Sequence, residues 1–296
     1  VRKLLLAALL LFSVSASALT VEEEIDALII AKDYQLDVIA LTGTSTEDVG
    51  TLERISQNIY QRADFLKARQ EAGETRYLLV NKSEFYMEVI DDGKVVVREK
   101  VIIGRPGRPT PEFSNTIKYI VINPYWHVPA NLARKDVVPK INRIRNKYGI
   151  DQMYTSIEKY GYRFFFGEVE LDPHTIDFAQ YEWGDQLPFK IRQDPGVHNS
   201  LGLIKFVFPN QYNVYLHDTP TRGLFDREER RYSSGCVRLQ NPANLAAYLM
   251  ETPRGDILDM IDNPDYRAKW LRITEPLPIH IVDWSITVTT EGVILK

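Results

Sequence analysis

One thiol, with a histidine 19 residues before it, is the part of this chain best suited to covalent chemistry. Cys236 is the sole cysteine among 296 residues and sits in Ser233-Ser234-Gly235-Cys236-Val237-Arg238-Leu239. His217 opens His217-Asp218-Thr219-Pro220 at the end of a strand-like segment. A nucleophilic cysteine needs a base to take its proton, a group that orients the base, and donors for the oxyanion formed on attack. His217 is the candidate base, and Asp218, through its carboxylate or its backbone carbonyl, is the candidate orienting group. Gly235 lets backbone approach a substrate closely, and the amides around Gly235 and Cys236 are candidate oxyanion donors. A lone cysteine closes no internal disulfide, and its plainer role is that of a small buried hydrophobe. Spacing alone does not choose between the two.

Strands must place this pair. From Arg76 the pattern alternates, and YLLVN, SEFYMEVID and KVVVREKVIIG read as strands, with Asp91-Asp92-Gly93 as a hairpin turn. The loop RPGRPTPEFS leads into NTIKYIVINP, and LIKFVFPN and YNVYLHD follow, joined at Pro209-Asn210-Gln211. PIHIVDWSITVTT and GVILK read as a closing strand pair around Glu291-Gly292. Strands in succession with short turns predict a mainly β fold with α additions over residues 73–296: an antiparallel β-sandwich or barrel-like sheet. Residues 127–187 interrupt it as a helical insertion packed on the sheet. Its run NLARKDVVPKINRIRNKYG carries six basic residues and one acid, with Val137, Val138, Ile141 and Ile144 at its apolar positions. The insertion's Tyr160, Tyr162, Phe164, Phe165 and Phe166 are expected in a core. Pro242 to Met250 reads as a short helix capped by Asn241. Residues 19–72 read as an N-terminal lead-in of two helices. Ile25, Leu28 and Ile29 mark the first, and Leu52, Ile55, Ile59, Phe65 and Leu66 the second, which Asp48 or Thr51 would cap.

Arg2 and Lys3 precede the apolar run Leu4 to Phe12 and the small-residue site Ala16-Ser17-Ala18. This is the pattern of a signal peptide over residues 1–18, and it predicts export to the periplasm. Its loss takes two cations and no acid, leaving 34 basic against 40 acidic side chains, a net charge of −6. That balance argues against general nucleic-acid binding. His127, His174, His198 and His280 are scattered without metal-binding spacing, so neither a metal nor a cofactor is predicted.

HDTP, followed fifteen residues after its His by SSGCVR, resembles the motif of the L,D-transpeptidase catalytic domain family (YkuD type). That motif is a His, a spacer, then Ser/Thr-x-Gly-Cys-x-Arg or Asn. YLLVN, GRPGRPTPEFS, IKYIVINPYWHVP, ARKDVVPKI, IRQDPGVHNSLGLIKFVFPN and VYLHDTP are similar, in order, to the family's YcbB-like branch. Many members have His where this chain has Ser234, so His217 is left as the motif's one base. The resemblance implies that Cys236 attacks the carbonyl of the third residue of a peptidoglycan stem peptide. D-Ala would leave, and a thioester acyl-enzyme would pass to an amine acceptor as a 3→3 cross-link. With water as acceptor the enzyme is an L,D-carboxypeptidase, and a catalytically silent wall-binding protein is the alternative outside enzymes. The implied partners are stem peptides, with acylation by carbapenems. Ser234, Arg238, Tyr125 and Trp126 are the implied substrate contacts. For Arg238 a brace to backbone carbonyls is the competing role. For Tyr125 and Trp126 it is core packing. A solvated loop face accounts for Arg222, Arg227, Arg230 and Arg231.

Overall fold

The computed structural model describes residues 46–289 and 292–295. The expected leader and the first N-terminal helix lie outside the described residues. The second helix spans Thr46–Glu71, so Asp48 and Thr51 lie within it rather than at its cap. Ile59, Ala63 and Leu66 are buried along one stripe. The helix is tied to the C-terminal end of the fold, where Asn58 accepts from the Ser285 amide at 2.9 Å and Arg62 lies 5.3 Å from the Trp284 ring.

The strands β1 (Arg76–Asn81), β2 (Tyr86–Asp91), β3 (Lys94–Gly104) and β4 (Phe113–Ile122) fall where alternation placed them. Asp92 and Gly93 both have positive φ, 45° and 74°, which is the turn that matches strand twist in a two-residue hairpin. The insertion contributes β5 (Trp126–His127), β6 (Tyr162–Phe166), β7 (Val169–Leu171) and β8 (Lys190–Gln193). The chain returns to the main sheet with β9 (Ile204–Val207), β10 (Leu216–His217), β11 (Arg231–Ser233), β12 (Val237–Leu239) and the long β13 (Lys269–Val282). The final pair, β14 (Ile286–Thr289) and β15 (Gly292–Leu295), forms its own hairpin.

The main sheet runs β11-β3-β12-β10-β9-β4-β13-β1-β2, and β2 pairs back onto β3. β3 is long enough to serve both ends: Lys94–Lys100 pairs with β2, and Val101–Gly104 with β12 and β11. The sheet therefore closes on itself, giving the mainly β, barrel-like architecture expected. It is not wholly antiparallel. β1 with β13, β10 with β12, and β3 with β11 are parallel. A parallel pairing needs a crossover of a dozen or more residues, and the His-to-Cys excursion is such a crossover. Its interior holds Leu78, Val80, Ile117, Ile120, Phe206, Leu216, Val237 and Leu239. The helix Pro242–Met250 covers this core with Leu245, Ala246 and Leu249. Asn241 sits at the N-cap of that helix but makes no side-chain cap bond, and its Nδ2 donates to Glu99 at 2.8 Å.

The insertion is only partly helical. Its strands form a four-stranded sheet, β5-β8-β6-β7, against helices Val138–Tyr148 and Ile150–Lys159, which meet at Gly149 with φ 92°. Strands of two to five residues show too little period to be legible in the sequence. Pro139 cannot donate to the carbonyl four residues back, and the turn ahead of it, Ala133–Val137, widens to π geometry. Phe164, Phe178, Phe189, Ile141, Met153 and Ile157 make a second core. Tyr162 and Phe164 join it as expected, whereas Phe166 is 64% exposed.

Candidate active site

Parallel pairing brings the two motif residues together. Leu216 lies opposite Val237 and His217 opposite Arg238. Leu216 and Val237 point into the barrel, fully buried. By strand alternation Tyr215, His217, Cys236 and Arg238 take the other face. Lys205, opposite His217 on β9, joins them. Cys236 and His217 are thus diagonal neighbours on adjacent strands.

His217 is 5% exposed, and its Nδ1–H donates to the backbone carbonyl of Asp218 at 2.5 Å. This fixes the tautomer and leaves Nε2 as the unprotonated nitrogen. The Asp218 carboxylate is engaged elsewhere. Oδ2 accepts from the Leu203 amide at 2.9 Å, and Oδ1 from Arg222 at 2.6 Å. Burial, with Arg238 next in effect, brings the imidazole down to about 3. The carbonyls of Asp218 and Leu201 oppose that shift without reversing it. Burial pushes the Cys236 thiol up, against the backbone of Tyr215 and the charges of Lys205 and Arg238. Both shifts favour the uncharged forms of base and nucleophile. The thiol points its hydrogen at the Asn213 carbonyl, 3.8 Å away.

Hydroxyls and one amide side chain shape the loop that carries the thiol. Ser233 Oγ donates to the Cys236 carbonyl at 2.5 Å and accepts from the Gly235 amide at 3.1 Å. Thr110 Oγ accepts from the Gly104 amide at 2.9 Å and donates to the Gly235 carbonyl at 2.7 Å. Gly235 has φ 118°, a conformation that side chains disfavour. Its N–H is already used, so Gly235 is not itself an oxyanion donor; it turns the backbone. The amides of Ser234 and Cys236 have no acceptor among the described residues. Asn210 holds the opposite wall. It bonds the carbonyls of Phe208 and Val214 at 2.7 and 2.8 Å and accepts from the amides of Tyr212 and Val214.

Two cavities flank the pair. One, of about 240 Å³, contains Cys236 and is walled by Arg108, Pro109, Tyr212, Val214 and Ser234. The other, of about 290 Å³, contains Arg238 beside Thr219 and the insertion residues Lys140 and Tyr160. Wider hollows of about 540 and 670 Å³ hold neither the thiol nor an imidazole. The insertion reaches the thiol loop through Asp136, which pairs with Arg105 at 3.3 Å and, more closely, with Arg108. Arg108 also donates to Ser234 Oγ at 3.1 Å.

Several expected contacts move. Tyr125 and Trp126 line neither cavity. Trp126 pairs with Gln193 within the insertion sheet and packs on its core, and Arg192 stacks 4.6 Å from the Tyr125 ring. Arg238 is no brace, since its guanidinium makes no hydrogen bond among the described residues. Arg230 does that work instead. It is 6% exposed and donates to the carbonyls of Val101, Arg227 and Phe85 at 3.2, 2.8 and 3.0 Å, so it does not belong to a solvated loop face. Lys205 escaped the sequence reading. Burial holds its pKa down, Cys236 opposes that, and its Nζ lies 3.7 Å from the Tyr215 ring centroid. A lysine inside the apolar run LIKFVF was the available signal.

Comparison with known proteins agrees with the motif. Residues 75–260 match the family model described as YkuD, L,D-transpeptidase catalytic domain. A curated Haemophilus influenzae protein named "Putative L,D-transpeptidase" is 33% identical over 174 residues, which is 59% of this chain. The match spans 33% of that relative's own length. Among solved structures, L,D-transpeptidase 3 from Mycobacterium tuberculosis with a faropenem-derived adduct is 13% identical, covering 71% of this chain and 60% of its own, at a TM-score of 0.33. An L,D-transpeptidase from Mycobacterium smegmatis is 12% identical, covering 70% of this chain and 58% of its own, at 0.31. Likenesses of that size are too slight to bear on fold or ligand.

Proposed function

The chain belongs to the YkuD family of L,D-transpeptidase catalytic domains, and we propose that it is an exported, periplasmic peptidoglycan L,D-transpeptidase of the YcbB-like branch. The observation that carries this is the thiol of Cys236 beside the unused amides of Ser234 and Cys236, on one sheet face with an imidazole held through Nδ1. His217 Nε2 takes the thiol proton as sulfur attacks the carbonyl carbon of the third stem residue. The resulting oxyanion accepts from the free amides. The C–N bond breaks, His217 returns the proton to the departing amine, and terminal D-Ala leaves a thioester on Cys236. An acceptor amine then attacks the thioester, giving its proton to His217, and the thiolate leaves and is reprotonated. Lys205 and Arg238 lower the cost of negative charge on sulfur. The insertion caps the site, a role supported by the ties of Asp136 and by Lys140 and Tyr160 in the second cavity.

The test is incubation with a defined disaccharide-tetrapeptide, followed by mass spectrometry. The expected product is a 3→3-linked dimer with release of D-Ala, abolished in Cys236→Ala. Tripeptide alone would identify the L,D-carboxypeptidase, and full product formation by Cys236→Ala would overturn the nucleophile assignment.

A further inference from the structure

The cavity of about 290 Å³ between the insertion and the barrel has an unbalanced charge. Arg238 and Lys140 both line it, and no Asp or Glu does. Arg238 Nε is buried without an acceptor, and neither Arg238 nor Lys140 has a carboxylate within ion-pair distance among the described residues. Arg222 and Arg230, in the same His-to-Cys segment, are both bonded, to Asp218 and to backbone carbonyls. A buried cation is ordinarily paired. A planar guanidinium with free donors fits a carboxylate, which it can hold by two parallel bonds. Lys140 lines the same cavity from the insertion, with its Nζ 3.9 Å from the Tyr160 ring centroid.

The position of Arg238 says which carboxylate. It is paired with His217 across the parallel strands and lies two residues beyond Cys236. The departing amine must meet His217. In a single terminal residue the carboxylate carbon is about 2.5 Å from that nitrogen. The carboxylate of the leaving residue therefore falls beside the imidazole, on the side away from the thiol cavity. A leaving dipeptide would carry its carboxylate about 3.6 Å farther out. We propose that Arg238 and Lys140 form a carboxylate site that receives the C-terminal carboxylate of the residue released from the donor peptide. The proposal rests on the transpeptidase reading above and adds to it the feature of the donor that the second cavity recognises.

Three donors test it: a tetrapeptide, the same peptide as its C-terminal carboxamide, and one whose third residue has its side-chain carboxylate amidated. For the wild-type protein the terminal amide is expected to lower kcat/KM for release of the last residue by roughly 10- to 100-fold, the range for a lost hydrogen-bonded charge pair. The side-chain amide should stay within about threefold of the free acid, since no charged bond is lost there. Arg238→Gln should lower use of the free acid and abolish discrimination against the terminal amide. Lys140→Met, on the insertion and away from the thiol loop, should weaken the same discrimination, chiefly through KM. Equal use of acid and terminal amide by the wild type, discrimination that survives in both variants, or sensitivity only to the side-chain amide would overturn the proposal. A wild-type protein that turns over none of the three donors would overturn the transpeptidase reading itself.

Discussion

Removal of one hydroxyl beside the thiol should cost both stability and acylation. Ser233 is 1% exposed, and its Oγ bridges the Gly235 amide and the Cys236 carbonyl. It thereby holds the turn that Gly235 makes at φ 118°. Ser233→Ala leaves a donor and an acceptor without this partner. A buried polar group left unsatisfied costs about 1–3 kcal/mol, so two orphans predict a loss of roughly 2–6 kcal/mol if the loop stays in place. Movement of the loop toward other partners would recover part of that loss. The same movement displaces the thiol, and a misplacement of about 1 Å costs on the order of 100-fold in rate. The expected outcome is a stability loss of about 2 kcal/mol in urea together with at least a tenfold slower acylation by a carbapenem, followed by intact-protein mass. A variant within about 0.5 kcal/mol and about threefold of wild type would refute the claim that Ser233 holds the nucleophile loop.

Three further outcomes follow from the imidazole and the thiol. Asp218→Asn should acylate within about fivefold of wild type, because the carboxylate bonds Leu203 and Arg222 rather than His217, whereas His217→Ala should lose the 10²–10⁴-fold typical of a general base. A loss as deep in Asp218→Asn would move the orienting role to the carboxylate. The pH dependence of iodoacetamide alkylation should show a single rise on the alkaline side of an ordinary thiol, because burial pushes Cys236 up, and no reactive plateau should appear at pH 4–7. Such a plateau would mean a thiolate–imidazolium pair. The imidazole's effect on stability falls on the acid side. Unfolded, the ring takes its proton near pH 6.5, and folded only near 3, so its stabilising contribution is present above 6.5 and is lost as pH falls toward 3. A wild-type stability that does not decline over that interval relative to His217→Asn would contradict the buried neutral ring.

The chemistry-bearing residues were readable because their types are rare and their sequence context is specific. The strands β1 to β4 were readable because each shows its alternation over several residues, and the β2–β3 turn because Asp-Asp-Gly supplies two left-handed positions. Pairing partners were not readable. Nothing in YNVYLHD says that His217 will lie between Lys205 and Arg238, because that depends on register with strands distant in sequence. The arginines show the same limit: Arg230 and Arg238 both lie in the same region of loop and short strands, yet one is fully bonded to carbonyls and the other is left free. Burial and acceptor geometry separate them, and neither is a local property. Thr110 is a similar case, since its hydroxyl matters only because β3 ends beside the thiol loop.

The 19-residue interval between His217 and Cys236 acquires a physical meaning from the parallel pairing of β10 and β12. A tight hairpin would have reversed the chain and made these strands antiparallel. The excursion through residues 218–235 instead carries the chain back to the start of β10, so that Cys236 and Arg238 enter the face that His217 occupies. Register is strict there, because a slip of one residue would exchange Cys236 for Val237 at the surface and drive the thiol into the barrel core. The acid next to the imidazole is tied down, since the Asp218 carboxylate is satisfied by Leu203 and Arg222. The face around the thiol is left with two cations, Lys205 and Arg238, and a neutral imidazole. Burial keeps the sulfur protonated at rest, while the two cations favour it once it becomes negative. A carboxylate bound at Arg238 would offset one of those charges, so the nucleophile's ionisation depends on what occupies the second cavity. Arg238 would then act on reactivity as well as on recognition, and its removal should shift the alkaline limb of thiol alkylation to higher pH in the free protein.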